Sequence, residues 1–461
     1  MIRPRKVTFA AVTLVLLLPT LAAAATRASI QLSRDALSTP GAQHATEVEP
    51  DAAAWGSTIV SAFQVGRYFD GGSAAIGFST SGDAGRTWRS GILPALTPAS
   101  VPAGSAARAT DPAVAYDAAH HRWLVASLTL SADSSAVVVS GSADGRAWDA
   151  PATVVSLPRG GNEDEETQLD KSWIACDNGA RSRFRGRCYV AYTDFTPPGN
   201  AIGVQRSTDG GVTWSTPVFI GVATDVPGVQ PVVRPDGQLV LVYIETPGWI
   251  EAVRSNDGGQ TFTPRAELIS RTQTRDVQLT PSGLRVFPLP SATVDGGGAV
   301  YVAWPDCRFR RGCSGNDIVV AHTRANGWTG PQRVVVPRAA ARADHVLPGL
   351  GADERTQGAH AHLAVTFYSV RNAGCRAATC SVDVRMATSQ NAGSTWRTRG
   401  VLNAHPMRFG WLARTSTGFM VGDYVATSFA AGRAVGIFAL AKAPHGNVLD
   451  ESIHAVVRAV R

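Results

Sequence analysis

An octapeptide that returns along the chain constrains the fold more than any other feature. It runs Ser81-Gly-Asp83-Ala-Gly85-Arg-Thr87-Trp88 and comes back as Ser207-Thr-Asp209-Gly-Gly211-Val-Thr213-Trp214 and Ser255-Asn-Asp257-Gly-Gly259-Gln-Thr261-Phe262. A shorter copy, Ser142-Ala-Asp144-Gly-Arg-Ala-Trp148, and a copy with Asn for Asp, Ser389-Gln-Asn391-Ala-Gly393-Ser-Thr395-Trp396, extend the series. Thr323-Arg-Ala-Asn326-Gly-Trp328 reads as a decayed sixth. This is turn chemistry: a carboxylate accepts backbone N–H bonds across the turn, the glycine takes a positive φ, and the aromatic ring packs on neighbouring strands. A recurring turn means one small structural unit used many times.

Apolar, period-two stretches flank each copy. The clearest unit has Asp111-Pro-Ala-Val-Ala-Tyr-Asp117, Arg122-Trp-Leu-Val-Ala-Ser-Leu128, Ala136-Val-Val-Val-Ser140, the turn, and Ala152-Thr-Val-Val155, which is four short strands. After the last copy, residues 421–427, 434–440 and 453–457 offer three strands without a fourth, and residues 28–32 are expected to supply it and so protect an open edge. The fold class predicted is all-β, a propeller of four-stranded blades, with seven blades favoured and six the alternative. The linkers are too short to separate independent units, so residues 26–461 are read as one domain.

The pattern S-x-D-x-G-x-T-W resembles the Asp-box, or BNR, repeat of the sialidase (neuraminidase) superfamily, and the likeness recurs from about residue 47 to 404. The resemblance implies that the box joins the third and fourth strands at the outer rim, so Asp83, Asp144, Asp209, Asp257 and Asn391 are structural and ligands bind on the axial face. It also implies a mechanism in which three arginines hold a carboxylate, a tyrosine activated by a glutamate attacks the sugar, and an aspartate serves as acid and base. Tyr424 beside Asp423 is placed much as that tyrosine is, and Arg308 and Arg371 are candidates for the arginines. The family's Phe/Tyr-Arg-Ile/Leu-Pro motif is missing, and its Glu-Pro appears as Gln230-Pro231, so Glu245 or Glu49 would have to replace the glutamate.

Position within the repeat yields further candidates. Loops leading into first strands carry Glu49, Asp111, Asp170 with Lys171, and Asp423 with Tyr424; loops leaving second strands carry Asp194, Glu245, Asp306 with Arg308, and Arg371. The expectation is a mixed-charge axial pocket in which Tyr424, Asp423, Glu49 and Asp111 are the catalytic candidates. Arg308, Arg371, Asp170, Lys171 and Glu245 are the substrate-binding candidates. An extracellular glycan or another extracellular ligand is the expected partner, with three readings of use: a glycan-binding propeller, an exo-sialidase or other glycoside hydrolase, and a protein-interaction scaffold.

Residues 1–25, with Arg3, Arg5 and Lys6 before an apolar run and Ala22 to Ala25, read as a secretory signal peptide, so a secreted chain without a membrane span is expected. The cysteines fall as close pairs, Cys176 with Cys188, Cys307 with Cys313 and Cys375 with Cys380, which predicts local disulfides in an oxidising compartment. A zinc site is disfavoured because there is no CxxC and no histidine at ligand spacing. His120-His121 and His360 with His362 lack a third ligand and are read as structural or surface. The acidic run Glu163, Asp164, Glu165 and Glu166 suits a calcium ion, though a solvated loop is favoured; no other cofactor is expected. Losing the signal peptide leaves 40 of the 43 basic residues against 36 acidic ones, which implies no nucleic-acid partner. A monomer is expected.

Overall fold

The computed structural model describes residues 29–158, 169–195, 201–222, 226, 228–275, 283–337, 340–371, 375 and 378–460, whose regular structure is strand apart from short 3-10 turns. The strands follow one another as antiparallel meanders. Sheet I is Glu47–Trp55, Thr58–Arg67, Ser73–Ser81 and Arg89–Ile92; sheet II is Arg108–Asp117, Arg122–Leu130, Ser134–Ser142 and Ala152–Pro158. Sheet III is Leu169–Cys176, Cys188–Asp194, Ala201–Ser207 and Val218–Gly221; sheet IV is Val229–Val233, Leu239–Glu245, Trp249–Ser255 and Glu267–Arg271. Sheet V is Ser291–Val294, Val300–Asp306 and Asp317–Arg324, with the short Gly327–Trp328 and Gln332–Arg333 both on its third strand. Sheet VI is Asp344–Ala352, Leu363–Val370, Ser381–Ser389 and Arg397–Val401. A single pairing, Ser73 with Ala109, joins sheets I and II.

Sheet VII is built from both ends of the chain. Ala426–Ala430, Arg433–Ala441 and Glu451–Ala459 form its first three strands, and Ile30–Gln31 is the fourth, with Ile30 opposite Ala455 and Gln31 opposite His454. The Leu32 N–H adds a bond to the Ile453 carbonyl at 2.8 Å. The strand expected at 421–427 begins later, at Ala426, because positive-φ Gly422 breaks the extended run and leaves Asp423 and Tyr424 just ahead of it.

The first strands of sheets I to VII lie side by side in chain order, and that of sheet VII rests against that of sheet I. Gly349 and Gly351 let sheet VI approach the segment that starts sheet VII, since a Cβ at either would run into the Val425 or Thr427 carbonyl. The apolar core is divided among the gaps between consecutive sheets: Ile76, Leu93 and Trp123 between I and II, Leu124, Ile174 and Val190 between II and III, and Val242, Ile250 and Trp304 between IV and V. Burying each aliphatic side chain of this size contributes about 1.5–3 kcal/mol.

The recurring turn works as its residue types suggest. In the copy at 207–214, Asp209 Oδ1 accepts the Val212 N–H (3.1 Å) and the Thr213 N–H (3.0 Å), while Oδ2 accepts the Thr213 hydroxyl. The Ser207 hydroxyl receives the Gly211 N–H at 2.9 Å, and Gly211 sits at φ 83°, where a side chain is strained. Four of the turns also rest on the preceding sheet: Gly85 faces Val457 of sheet VII, Gly145 faces Val60 of sheet I, Gly211 faces Leu124 of sheet II and Gly259 faces Tyr189 of sheet III, whereas Gly393 faces only Trp396 and Leu363 of its own sheet. At 391 the asparagine keeps the essential acceptor, its Oδ1 taking the Thr395 N–H at 2.9 Å. Asp209→Asn should therefore be nearly neutral, whereas Asp209→Ala should cost about 1 kcal/mol by urea denaturation.

Buried carboxyls seal the seam where the N-terminal segment meets sheets I and VII. Glu47 accepts bonds from the Ser33 hydroxyl (2.6 Å) and the Ile453 N–H (3.1 Å), and Glu451 accepts one from the Ala413 N–H (2.8 Å). Both are 1% exposed, and burial pushes Glu47 up to about 7 and Glu451 well above the carboxylate range. A carboxyl whose folded pKa is raised binds its proton more tightly folded than unfolded, so its contribution is intact below about pH 4 and is lost as pH climbs through 7, on the order of 3 kcal/mol for Glu47. Wild-type stability should fall between pH 5 and pH 8 in denaturant titrations, and Glu47→Gln should make that fall shallower.

Candidate functional site

A backbone irregularity repeats at the start of several first strands. The register slips between Val48 and Asp51, Thr110 and Ala113, Asp170 and Trp173, and Val346 and Gly349. Within each slip one residue takes a left-handed conformation: Glu49 (φ 59°), Asp111 (49°), Lys171 (49°) and Leu347 (52°). For L-residues this conformation costs roughly 1–2 kcal/mol, so a surrounding structure must hold it. In sheets I, II and III the strained residue is ionisable, and the bulge re-aims its side chain.

These side chains meet. The Lys171 Nζ donates to Asp423 Oδ2 at 2.7 Å and lies 3.4 Å from both Glu49 Oε1 and Asp111 Oδ1. Arg285 clamps Asp423 from the other side, Nε to Oδ1 at 2.8 Å and Nη2 to Oδ2 at 2.6 Å. Gln64 donates to Glu49 and, at 3.0 Å, to Thr110 Oγ1; Arg67 donates to the Gln64 side-chain oxygen at 2.8 Å. The Lys171 N–H approaches both Asp170 Oδ1 (2.9 Å) and Asp111 Oδ2 (3.2 Å), which holds those two carboxyls together. Glu49, Asp111, Asp423 and Lys171 are all buried, while Asp170 is half-buried.

Such crowding splits the titrations. Burial, reinforced by Asp423 and Asp111, pushes Glu49 up to about 7, and burial with the neighbouring Asp111 pushes Asp170 up to about 8. Burial acts the same way on Asp423, but Arg285 and Lys171 outweigh it and hold that carboxyl well below the usual range. For Lys171 burial favours the neutral amine, yet the surrounding carboxylates win and keep it charged.

A cavity of about 770 Å³ runs along the axis between the first strands. Lys171, Trp173, Asp423 and Tyr424 line its charged end, and Trp55, Asn178, Arg355 and Gly432 line the other. Between them the wall is made of small residues such as Ala53, Ala115, Ala175, Ala292 and Gly351. Trp173 and Tyr424 meet edge to face, with centroids 4.8 Å apart and planes at 71°. The Tyr424 hydroxyl donates to the Pro112 carbonyl at 2.9 Å, and burial among carboxylates raises its phenol far above the ordinary value, so here it is a hydrogen-bond donor.

Of the residues singled out in the sequence, Glu49, Asp111, Asp170, Lys171, Asp423 and Tyr424 are brought together. Arg308, Arg371 and Glu245 are engaged elsewhere. Arg308 is held by Asp306, Nε to Oδ1 at 2.9 Å and Nη2 to Oδ2 at 2.8 Å, and reaches Ser270 and the Arg271 carbonyl; Arg371 is held by Asp383, Nε to Oδ2 at 2.6 Å. Glu245 sits beside Glu251 and Tyr243 within sheet IV. Arg67 could have been found, since it ends the second strand of sheet I, the same position that drew attention to Glu245. Arg285 lies in the linker between sheets IV and V, where no periodicity or motif marks it.

All three predicted disulfides are formed: Cys176–Cys188 ties the first two strands of sheet III, and Cys307–Cys313 and Cys375–Cys380 close the loops after Asp306 and Arg371. The acidic run Glu163, Asp164, Glu165 and Glu166 lies outside the described residues. Among the described residues no helix is long and apolar enough to cross a membrane, and no group of three His, Cys, Asp or Glu side chains is arranged to hold a metal.

No family model and no curated protein matches the sequence. Among solved structures, an α-L-arabinanase from Penicillium chrysogenum complexed with arabinobiose is similar at a TM-score of 0.50 and 14% identity, covering 80% of this chain and 98% of that one. An ulvan lyase bound to a glucuronyl-rhamnose 3-sulfate fragment has a TM-score of 0.51 at 10% identity, covering 94% and 96%. At these identities the likeness establishes a shared propeller-like fold.

Removing the central cation should strand buried charge. Lys171→Met leaves Glu49, Asp111 and Asp423 with one partner fewer and should cost about 3–5 kcal/mol near pH 8. The loss should be smaller at pH 5, because carboxyls without the cation take up protons on folding; denaturant titrations at both pH values read this directly.

Proposed function

We propose that this chain is a secreted, sialidase-like Asp-box propeller, its seven sheets closing a single seven-bladed ring, that binds a glycan in its axial cavity. One observation carries the reading: charged side chains from sheets I, II and III and from the segment leading into sheet VII converge at one end of an axial cavity that also presents Trp173 and Tyr424. A cavity of this size with a few convergent polar groups is the usual form of a small-ligand site. The disulfides support an exported chain, because such bonds persist in oxidising compartments. Glycans are the ligands to try first because the two structures of like fold each hold a saccharide.

Hydrolysis is the second reading, and the split titrations favour it. A carboxyl kept protonated near neutrality beside one kept ionised is the pairing that acid/base cleavage of a glycosidic bond needs. Asp170, half-buried and pushed up to about 8, would be the acid, and Asp423, enclosed by Arg285 and Lys171, would act through its charge without touching the sugar.

A glycan array followed by calorimetry on the purified chain tests the binding reading. Saturable binding should appear and should drop at least tenfold in Ala175→Trp and Ala53→Trp, which fill the cavity. Binding that survives both variants, or no binding to any glycan, rules the axial site out. Product release from a bound oligosaccharide, lost in Asp170→Asn while binding persists, would establish hydrolysis.

A further inference from the structure

We infer that the hairpin joining the first two strands of sheet III is a docking site for an anionic polysaccharide, separate from the axial cavity and independent of what binds there. The hairpin, residues 177–187, carries Arg181, Arg183, Arg185 and Arg187 at alternate positions. Its base is closed by the Cys176–Cys188 disulfide. Inside it the buried Asp177 accepts the Gly179 N–H on Oδ1 at 2.9 Å and the Ser182 hydroxyl on Oδ2, and the Gly186 N–H donates to the Asp177 carbonyl at 2.9 Å. Two of the arginines pin the loop to the neighbouring turn of sheet IV: Arg183 Nη2 donates to the Asn256 carbonyl and Arg187 Nη1 to the Gly258 carbonyl, both at 2.9 Å. The same two guanidiniums lie over the Phe184 ring, 4.6 and 4.8 Å from its centre. These charges are held in place rather than carried on a loose loop.

Among the described residues none of the four is paired with a carboxylate, whereas Arg122, Arg254, Arg308 and Arg371 each have one. Arg181 and Arg185 are exposed, and among the described residues their side chains hold no hydrogen bond. The carboxylates of the adjoining elements are committed: Asp117 to His120 at 2.6 Å, Asp236 to Arg234 at 3.6 Å, and Asp257 to the Gln260 and Thr261 N–H groups of its own turn. The loops on this face, from first to second and from third to fourth strands, lie within the described residues. The internal segments outside them join strand ends on the opposite face, roughly 25 Å away along a strand such as Leu169–Cys176. Crowded like charges repel one another in the folded chain, so an external anion relieves a cost that the fold otherwise carries. Arginine's planar fork fits sulfate and carboxylate groups with paired hydrogen bonds, and a row of such forks suits the repeated charges of one polymer. A nucleic acid is less well served, because Phe184, the hairpin's one aromatic ring, is packed against Arg183, Arg187 and Gly258 instead of being open to a base.

Calorimetry of the purified chain with dextran sulfate and with polygalacturonate, at pH 7 and about 0.15 M salt, reads this site, with uncharged dextran as the blank. At least one acidic polymer should bind saturably. Arg181→Ser/Arg185→Ser should weaken that binding at least tenfold without shifting the melting temperature. Arg86→Ser/Arg397→Ser, which removes the same charge from exposed positions in sheets I and VI, should change the affinity by less than about twofold, as should Ala53→Trp, which fills the axial cavity. A control pair that weakens binding as much as the hairpin pair overturns the inference, because overall charge then suffices. Loss of binding in Ala53→Trp also overturns it and moves the polymer into the cavity. Binding of neither polymer, or tighter binding of duplex DNA, overturns it while leaving the axial glycan reading standing.

Discussion

The ammonium of Lys171, enclosed by carboxylates from three other parts of the chain, is the interaction on which the centre of this molecule depends. It draws Glu49 from sheet I, Asp111 from sheet II and Asp423 from the segment before sheet VII to one point on the axis. Each pair is buried, so none is worth much as an isolated attraction once desolvation is counted. Their combined effect is geometric: the left-handed backbone at Glu49, Asp111 and Lys171 aims the three side chains at one point, although the same bulge at Leu347 forms without any charge.

Away from the axis the stabilising forces change character. The gaps between sheets hold aliphatic and aromatic side chains, and four of the outer turns rest their glycines on the sheet before. A turn can do this only where nothing projects from its backbone, which is why glycine recurs at the same place in every full copy. The periphery therefore supplies cohesion by shape and the centre supplies specificity by charge, with the small-residue wall of the cavity between them.

How much of this was legible follows the same division. The turns, the four-strand units, the disulfide pairs and the strand at Ile30–Gln31 were readable because each rests on local chemistry: a Ser-Asp-Gly spacing, a period of two, close cysteines, a missing fourth strand. The central cluster was half-readable, since position within the repeat marks Glu49, Asp111, Lys171 and Asp423 as axial. Position cannot reveal partners, however. Arg308 and Arg371 stand where substrate arginines would, yet Asp306, two residues back, and Asp383, on the neighbouring strand, capture them. Arg285 was invisible because its role comes from a linker crossing to Asp423, 138 residues away.

The seam in sheet VII has a consequence for how such a molecule comes into being. Ser29 and His454, 425 positions apart, face each other across it, so the first described strand has no partner until the last has been made. Every other sheet can assemble from consecutive residues as the chain emerges, but sheet VII waits for Glu451–Ala459 before Ile30–Gln31 can pair. A chain cut short before Glu451 would leave sheet I without its neighbour's outer strands and an unpaired edge at Ile30–Gln31 exposed to other chains.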